Sequence, residues 1–314
     1  MLYITYLVLA ILVVFCAIKL SYYVDCLDKS TNLSGAFIGG VLLAAITSLP
    51  EVFTSLTAVT LLDQPNLVQG NVLGSNIFNL TIIAGIVLFT TKQFKEASLS
   101  KSHLKTLIFD IVMCILVLIA IFKPITLSLG FLSINLMSIF MLVVYIISVL
   151  MMKNDNSSED ENSEVPLTIK QILIRFVLFA IALVVISILL TQVSDKLAAQ
   201  LNLGATLAGA VFLGVVTSLP ELSASINLVR MKNFNASVGN VVGSNLFNFM
   251  ILCMSDFIYR GNIYMHEASV VNLLVFGSIA TLLTFALILA KKNRWLSALL
   301  CALTISCYIL SLVL

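Results

Sequence analysis

The chain has 314 residues, of which 60% are apolar and only 10% are Asp, Glu, Lys or Arg, with a mean hydropathy of +1.11. A soluble domain carries roughly 25% charged residues, so 17 basic and 15 acidic side chains are too few to coat a globule of this size, and the composition predicts a protein of the lipid bilayer. A net charge of +2 with no basic face excludes nucleic acid as a partner.

A membrane helix needs about 20 apolar residues. Hydropathy along the chain predicts ten spans near 3–20, 35–62, 68–90, 106–122, 129–152, 170–192, 204–229, 237–258, 268–290 and 295–313. The apolar stretches are continuous, which argues against the alternating ten-residue segments of an outer-membrane barrel. The first span lacks a basic n-region, because its one cation, Lys19, stands at the far end; it reads as a retained helix and not a cleaved leader.

Residues 153–167 are rich in Asn, Ser, Asp and Glu and have no apolar face, the composition of a solvated linker. They separate a five-helix half, 1–152, from a second, 168–314. The acidic run lacks the central Gly and ligand spacing of an EF-hand. With both termini outside, fourteen of the 17 Lys and Arg fall in or beside inner loops, and only Lys123, Lys196 and Arg260 fall outside. That asymmetry predicts a cytoplasmic linker, and Trp295 beside an inner basic loop fits an interfacial anchor. The six cysteines have no regular spacing and read as small apolar packing residues.

The two halves share a repeat. Leu43–Glu51 reads LAAITSLPE and Leu213–Glu221 reads LGVVTSLPE; Gly70–Asn79 reads GNVLGSNIFN and Gly239–Asn248 reads GNVVGSNLFN, identical at eight of ten positions. Ser75 follows Glu51 by 24 residues and Ser244 follows Glu221 by 23. Because each half has an odd number of spans, the second copy enters from the opposite side. The expected fold is therefore all-α, ten helices in two inverted five-helix repeats, with interrupted helices and a substrate site near the midplane.

Glu51 and Glu221 lie inside apolar spans, where a charge costs roughly 2.5–3.5 kcal/mol, and no Lys or Arg occupies the centre of any span to pair with them. A bound cation or a proton offsets that cost. Pro50 and Pro220 have no N–H, so the carbonyls of Ile46 and Val216 lose their helical donor. These carbonyls and the hydroxyls of Thr47, Ser48, Thr217 and Ser218 are neutral oxygens within a turn of each carboxylate, the ligand type of a hard cation.

Ser75 and Asn79, like Ser244 and Asn248, are four apart and share one helical face. Gly70, Gly74, Gly239 and Gly243 permit close backbone approach. Asn71, Asn76, Asn240 and Asn245 read first as caps of broken helix ends and second as ligands. The blocks contain no Cys or His, which argues against zinc or copper.

These motifs resemble the α-repeats of the Na⁺/Ca²⁺ exchanger family within the Ca²⁺/cation antiporter superfamily, in its compact prokaryotic form. The resemblance implies a secondary antiporter of a prokaryotic plasma membrane, with no cofactor, no enzymatic activity and no obligate protein partner, exchanging Ca²⁺ for Na⁺. It implies that Glu51 and Glu221 bind Ca²⁺ with the main-chain carbonyls of Thr47 and Thr217. The Na⁺ sites would draw on Ala44, Ser48, Ser75, Gly214, Ser218 and Ser244, and Asn79 and Asn248 would be the central polar residues of spans three and eight. Many members have Asp at one of the last two positions; here both are Asn, which keeps H⁺ open as coupling ion and Ca²⁺/H⁺ exchange as the alternative. A cation channel is disfavoured because an inverted pair forms no ring around a pore, and a membrane hydrolase because the repeats have no HExxH and no Ser–His pair.

Asp110 reads as the only other acid well inside a span, hydrogen-bonded near Lys101 and Lys105, with an ion-relay role as the alternative. His103 and His266 fall in loops.

Overall fold

The computed structural model describes residues 2–31, 33–129, 132–153, 166–200 and 215–313. It is nearly all helical: α1 (Leu2–Ser30), α2 (Gly35–Thr47), α3 (Leu49–Thr60), α4 (Pro65–Phe89), α5 (Thr91–Glu96), α6 (Ser102–Phe122), α7 (Leu136–Lys153), α8 (Ile169–Gln200), α9 (Leu219–Arg230), α10 (Phe234–Ile258), α11 (Ala268–Leu289) and α12 (Arg294–Val313). Among the described residues eight helices are long and apolar enough to cross a membrane, and nine if α2 and α3 count as one broken span. Most of the linker and the first part of the 204–229 span lie outside the described residues.

α8 runs eight residues past the predicted 170–192 span, α5 is a short helix between two predicted spans, and two further features depart from the expected elements. α1 runs ten residues past the predicted end because its last turns are packed: Asp25 is buried and pairs with Lys29 at 2.8 Å, a spacing that matches one helical turn. The span expected from 129 begins only at Leu136. Ahead of it stands an antiparallel hairpin, β1 (Thr126–Leu129) and β2 (Leu132–Asn135), with Thr126 opposite Asn135. The alternation of Thr and Ser with Leu and Ile there has the period of a strand, and Pro124 prevents the previous helix from continuing. The expectation of an all-α chain holds for nearly all of the described residues, with this hairpin as the exception.

The chain divides into two compact units, each drawing on both sequence halves. The first comprises Met1–Pro50, Lys92–His103 and Val149–Ser244. In it α1 packs along α8 and α9, and Leu20, Val24, Ile38, Leu43, Phe176 and Leu228 belong to one buried apolar core. Residues Ile38–Leu43 of α2 are π-helical, a local widening frequent at functional sites. α10 lies backbone to backbone on this segment. A Cβ on Gly239 would meet Ala36 O at 2.8 Å, and one on Gly243 would meet Gly40 O at 2.0 Å. Gly70 and Gly74 have no such neighbour among the described residues.

His103, expected in a loop, is buried in the first turn of α6, with Nε2 3.2 Å from Asn235 Oδ1. Asn235 also accepts from Ser100 N–H at 2.8 Å. The imidazole is drawn in by this polar cluster, which a hydropathy window cannot register.

The second unit comprises Glu51–Thr91, Leu104–Ser148 and Asn245–Leu314. α11 packs on α12 and both pack on α4. Asp256, in the last turn of α10, is a further intramembrane acid beside Asp110. Its Oδ2 accepts from Asn135 N–H at 2.8 Å and from Ser138 Oγ at 2.7 Å, and Ser138 is 2.6 Å from the buried Tyr264 hydroxyl. This carboxylate ties the hairpin to the start of α7. The six cysteines are free and buried.

Candidate ion-binding site

The TSLPE motif breaks its helix at the serine. Ser48 has φ −89° and ψ 5°, and Ser218 has φ −89° and ψ 9°, the same conformation in both copies. The break between α2 and α3 bends the helix by 42°. Leu and Pro begin the next helix in each case, where proline's missing N–H costs nothing, and the glutamate enters the first turn, where the helix dipole favours a negative charge. The carbonyl of Ile46 is less free than Pro50 alone implies, because the Ser48 N–H turns back to the carbonyls of Ala44 and Ile46.

All the candidate residues that are described are buried: Ala44, Thr47, Ser48, Glu51, Ser75, Asn79, Thr217, Ser218, Glu221, Ser244 and Asn248. Gly214 lies outside the described residues.

The first unit gathers one set around Glu221. Its Oε1 accepts from Ser48 Oγ at 2.9 Å and lies 3.4 Å from Ser244 Oγ. Ser244 Oγ is also 3.5 Å from Ala44 O. Glu221 Oε2 has no hydrogen-bond partner among the described residues. Thr47 Oγ1 bonds the carbonyls of Leu43 and Ala44 at 3.1 and 3.3 Å and is 3.3 Å from Asn240 Oδ1. Ser48 and Ala44 come from one copy of the repeat, and Glu221 and Ser244 from the other.

The second unit holds Glu51, Ser75, Asn79 and Asn248. Four asparagines there form a reciprocal lattice. Asn76 Nδ2 donates to Asn245 O at 3.4 Å and Asn245 Nδ2 to Asn76 O at 3.2 Å. Asn79 Nδ2 donates to Asn245 Oδ1 at 3.1 Å, and Asn248 Nδ2 to Asn76 Oδ1 at 2.9 Å. Exchanging 76 with 245 and 79 with 248 maps the lattice onto itself. Asn79 and Asn248 each donate through Nδ2 and leave Oδ1 buried and without a partner among the described residues, as is Ser75 Oγ. Such orphaned acceptors suit a cation ligand, because an unsatisfied buried polar atom otherwise costs about 1–3 kcal/mol.

Asn76 and Asn245 are therefore mid-helix cross-links and not caps, a role that sequence spacing alone does not distinguish. Asn71 and Asn240 are not caps either. Asn71 Nδ2 donates to Ser55 Oγ at 2.9 Å and Glu51 O at 3.3 Å. Asn240 Nδ2 donates to Ser225 Oγ at 3.0 Å and Glu221 O at 3.5 Å. Each fastens the helix turn that carries its glutamate. Asn71→Ala and Asn240→Ala are each expected to cost about 1–2 kcal/mol, read as a lower thermal midpoint of the purified protein in detergent; unchanged midpoints would remove this fastening role.

Broken helices within an apolar bundle define an integral membrane protein, and the carboxylate, hydroxyl and amide oxygens they bury are of the ligand type that a hard cation takes. The family described as sodium/calcium exchanger protein matches residues 1–153 and 171–314. The chain belongs to that family and is a membrane antiporter of cations. It is 26% identical to the putative antiporter CaxA of Alkalimonas amylolytica over 90% of this chain and 89% of that protein. It is also 26% identical to the inner membrane protein YrbG of Escherichia coli, over 77% and 75%. A solved structure of the sodium-calcium exchanger NCX_Mj, soaked with Na⁺ and Sr²⁺, superposes with a TM-score of 0.73 at 22% identity over 98% of each chain; the two share a fold.

Proposed function

We propose that the protein exchanges Ca²⁺ for Na⁺ by alternating access, with Glu51 and Glu221 as the anionic ligands of Ca²⁺ near the membrane midplane. The carrying observation is the surroundings of Glu221: a buried carboxylate with hydroxyls of both repeat copies on one oxygen and no partner for the other among the described residues. Two carboxylates neutralise one Ca²⁺, while the emptied, doubly charged site is too costly to carry across. That penalty couples the movement of one ion to the other.

The architecture in this reading is ten spans in two inverted repeats, 1–152 and 168–314, with both termini outside and the 153–167 linker cytoplasmic in a prokaryotic plasma membrane. The matching conformations of Ser48 and Ser218 and the reciprocal asparagines support the duplication. Na⁺ is assigned to Ala44, Ser48, Ser75, Gly214, Ser218 and Ser244, with the main-chain carbonyls of Thr47 and Thr217 joining the glutamates on Ca²⁺, and Asn79 and Asn248 lending neutral oxygens.

Proteoliposomes loaded with Na⁺ are expected to take up ⁴⁵Ca²⁺ only while an outward Na⁺ gradient exists. Uptake that ignores Na⁺ and follows a proton gradient would replace this reading with Ca²⁺/H⁺ exchange, which the asparagines at both 79 and 248 keep as the second reading.

A further inference from the structure

Asp110 belongs to no part of the ion chemistry described so far, yet among the described residues it is the one carboxylate that touches the asparagine lattice within the second unit. Its Oδ2 accepts from Asn245 Nδ2 at 3.4 Å and from Thr281 Oγ1 at 3.3 Å. The hydrogen bonding expected for Asp110 is present, and Asn245 and Thr281 supply it. Asp110 is buried, and Oδ1 has no partner among the described residues. It lines a cavity of about 10 Å³ together with Asn76, Cys114 and Thr281, room for a single water.

We infer that Asp110 is a positioning residue for transport: it orients the Asn245 carboxamide and thereby aims Asn79 Oδ1 at the cation. The chain of contacts carries the inference. An amide can flip its oxygen and nitrogen at nearly equal volume, so its orientation is set by its partners. Asn245 directs one N–H to Asn76 O and the other to Asp110, which leaves Oδ1 to accept from Asn79 Nδ2. Asn79 Nδ2 is thereby held on Asn245, and its oxygen is turned away from the lattice. Were Asn245 flipped, its NH₂ would face the Asn79 NH₂, and Asn79 would have to reverse, presenting donors where a cation requires an acceptor. Asn76 has no matching carboxylate among the described residues, so Asp110 is also what makes the otherwise two-fold lattice unequal.

Both donors fall on the same carboxyl oxygen. An asparagine at 110 retains an acceptor for Asn245 and Thr281, whereas alanine removes it. The inference rests on the reading that Asn79 Oδ1 is a cation ligand, and the experiment separates the two. In proteoliposomes, Asp110→Ala is expected to raise the half-saturating Ca²⁺ concentration about five-fold, the scale of one lost orienting hydrogen bond, with the maximal rate within about two-fold of the unaltered protein. Asp110→Asn is expected to restore the affinity. Asn79→Ala is measured beside them. If Asn79→Ala leaves the affinity unchanged, the ligand reading fails. If Asn79→Ala weakens it but Asp110→Ala does not, the positioning role fails. Equal impairment by Asp110→Asn and Asp110→Ala also overturns positioning, because charge and not an acceptor would then be what counts.

Discussion

Glu221→Gln is expected to abolish Ca²⁺-dependent exchange, by at least about 100-fold, while leaving the protein folded, and Glu51→Gln is expected to do the same. Glutamine keeps the volume and a carbonyl oxygen, so the Ser48 hydroxyl, 2.9 Å from Glu221 Oε1, retains its acceptor. What disappears is the formal charge. Charge-assisted contacts are roughly twice as strong as neutral ones, and losing about 2.7 kcal/mol of ion stabilisation is a 100-fold loss. The measurement is Na⁺-gradient-driven ⁴⁵Ca²⁺ uptake in proteoliposomes alongside the thermal midpoint of the same preparations. Normal Ca²⁺ exchange in either variant would refute the assigned glutamate. An inactive variant with an unchanged midpoint would assign its loss to ion binding and not to folding.

The second large effect concerns the fold. Gly243→Ala is expected to destabilise the protein by about 3 kcal/mol, the upper end of the usual cost of overpacking. The added methyl would lie 2.0 Å from Gly40 O and 2.5 Å from Gly40 Cα, and neither is a side chain that can rotate away. The substitution also has an opposing term, since alanine is favoured over glycine in a helix by roughly 0.8–1 kcal/mol. The clash must outweigh that gain, and the sign of the measured change decides between them. Gly85→Ala supplies the comparison: a helical glycine with no neighbouring atom within 4 Å among the described residues should gain stability or stay level. Thermal midpoints in detergent read both, and a Gly243→Ala protein as stable as the parent would show that α10 does not need to lie backbone to backbone on the π-helical segment of α2.

The linear chain carried much of this molecule, for identifiable reasons. Helices in lipid must satisfy their own backbone polar groups, so long apolar runs report spans directly, and those at 68–90, 106–122, 237–258, 268–290 and 295–313 match α4, α6, α10, α11 and α12 to within a few residues. Pro after Thr-Ser-Leu and before Glu predicts a helix break from local chemistry alone, and the break is present at Ser48 and at Ser218. The hairpin was missed because its eight paired residues lie beside a far longer apolar run, and hydropathy smooths over strand alternation. His103 was misplaced and Asp256 passed over because their burial depends on Asn235 in one case and on Asn135 and Ser138 in the other, residues more than a hundred positions away.

The amino-acid order by itself determined that the protein lives in the bilayer, that its motif is duplicated, and that a glutamate recurs at the same place in each copy of the motif, because composition and periodicity are properties of the chain. Only the tertiary structure decided what the asparagines do. A carboxamide is donor and acceptor at once, and nothing local chooses which end faces a neighbour. The meeting of Asn76, Asn79, Asn245 and Asn248, with Asp110 against Asn245, makes that choice and turns two amide oxygens outward from the lattice.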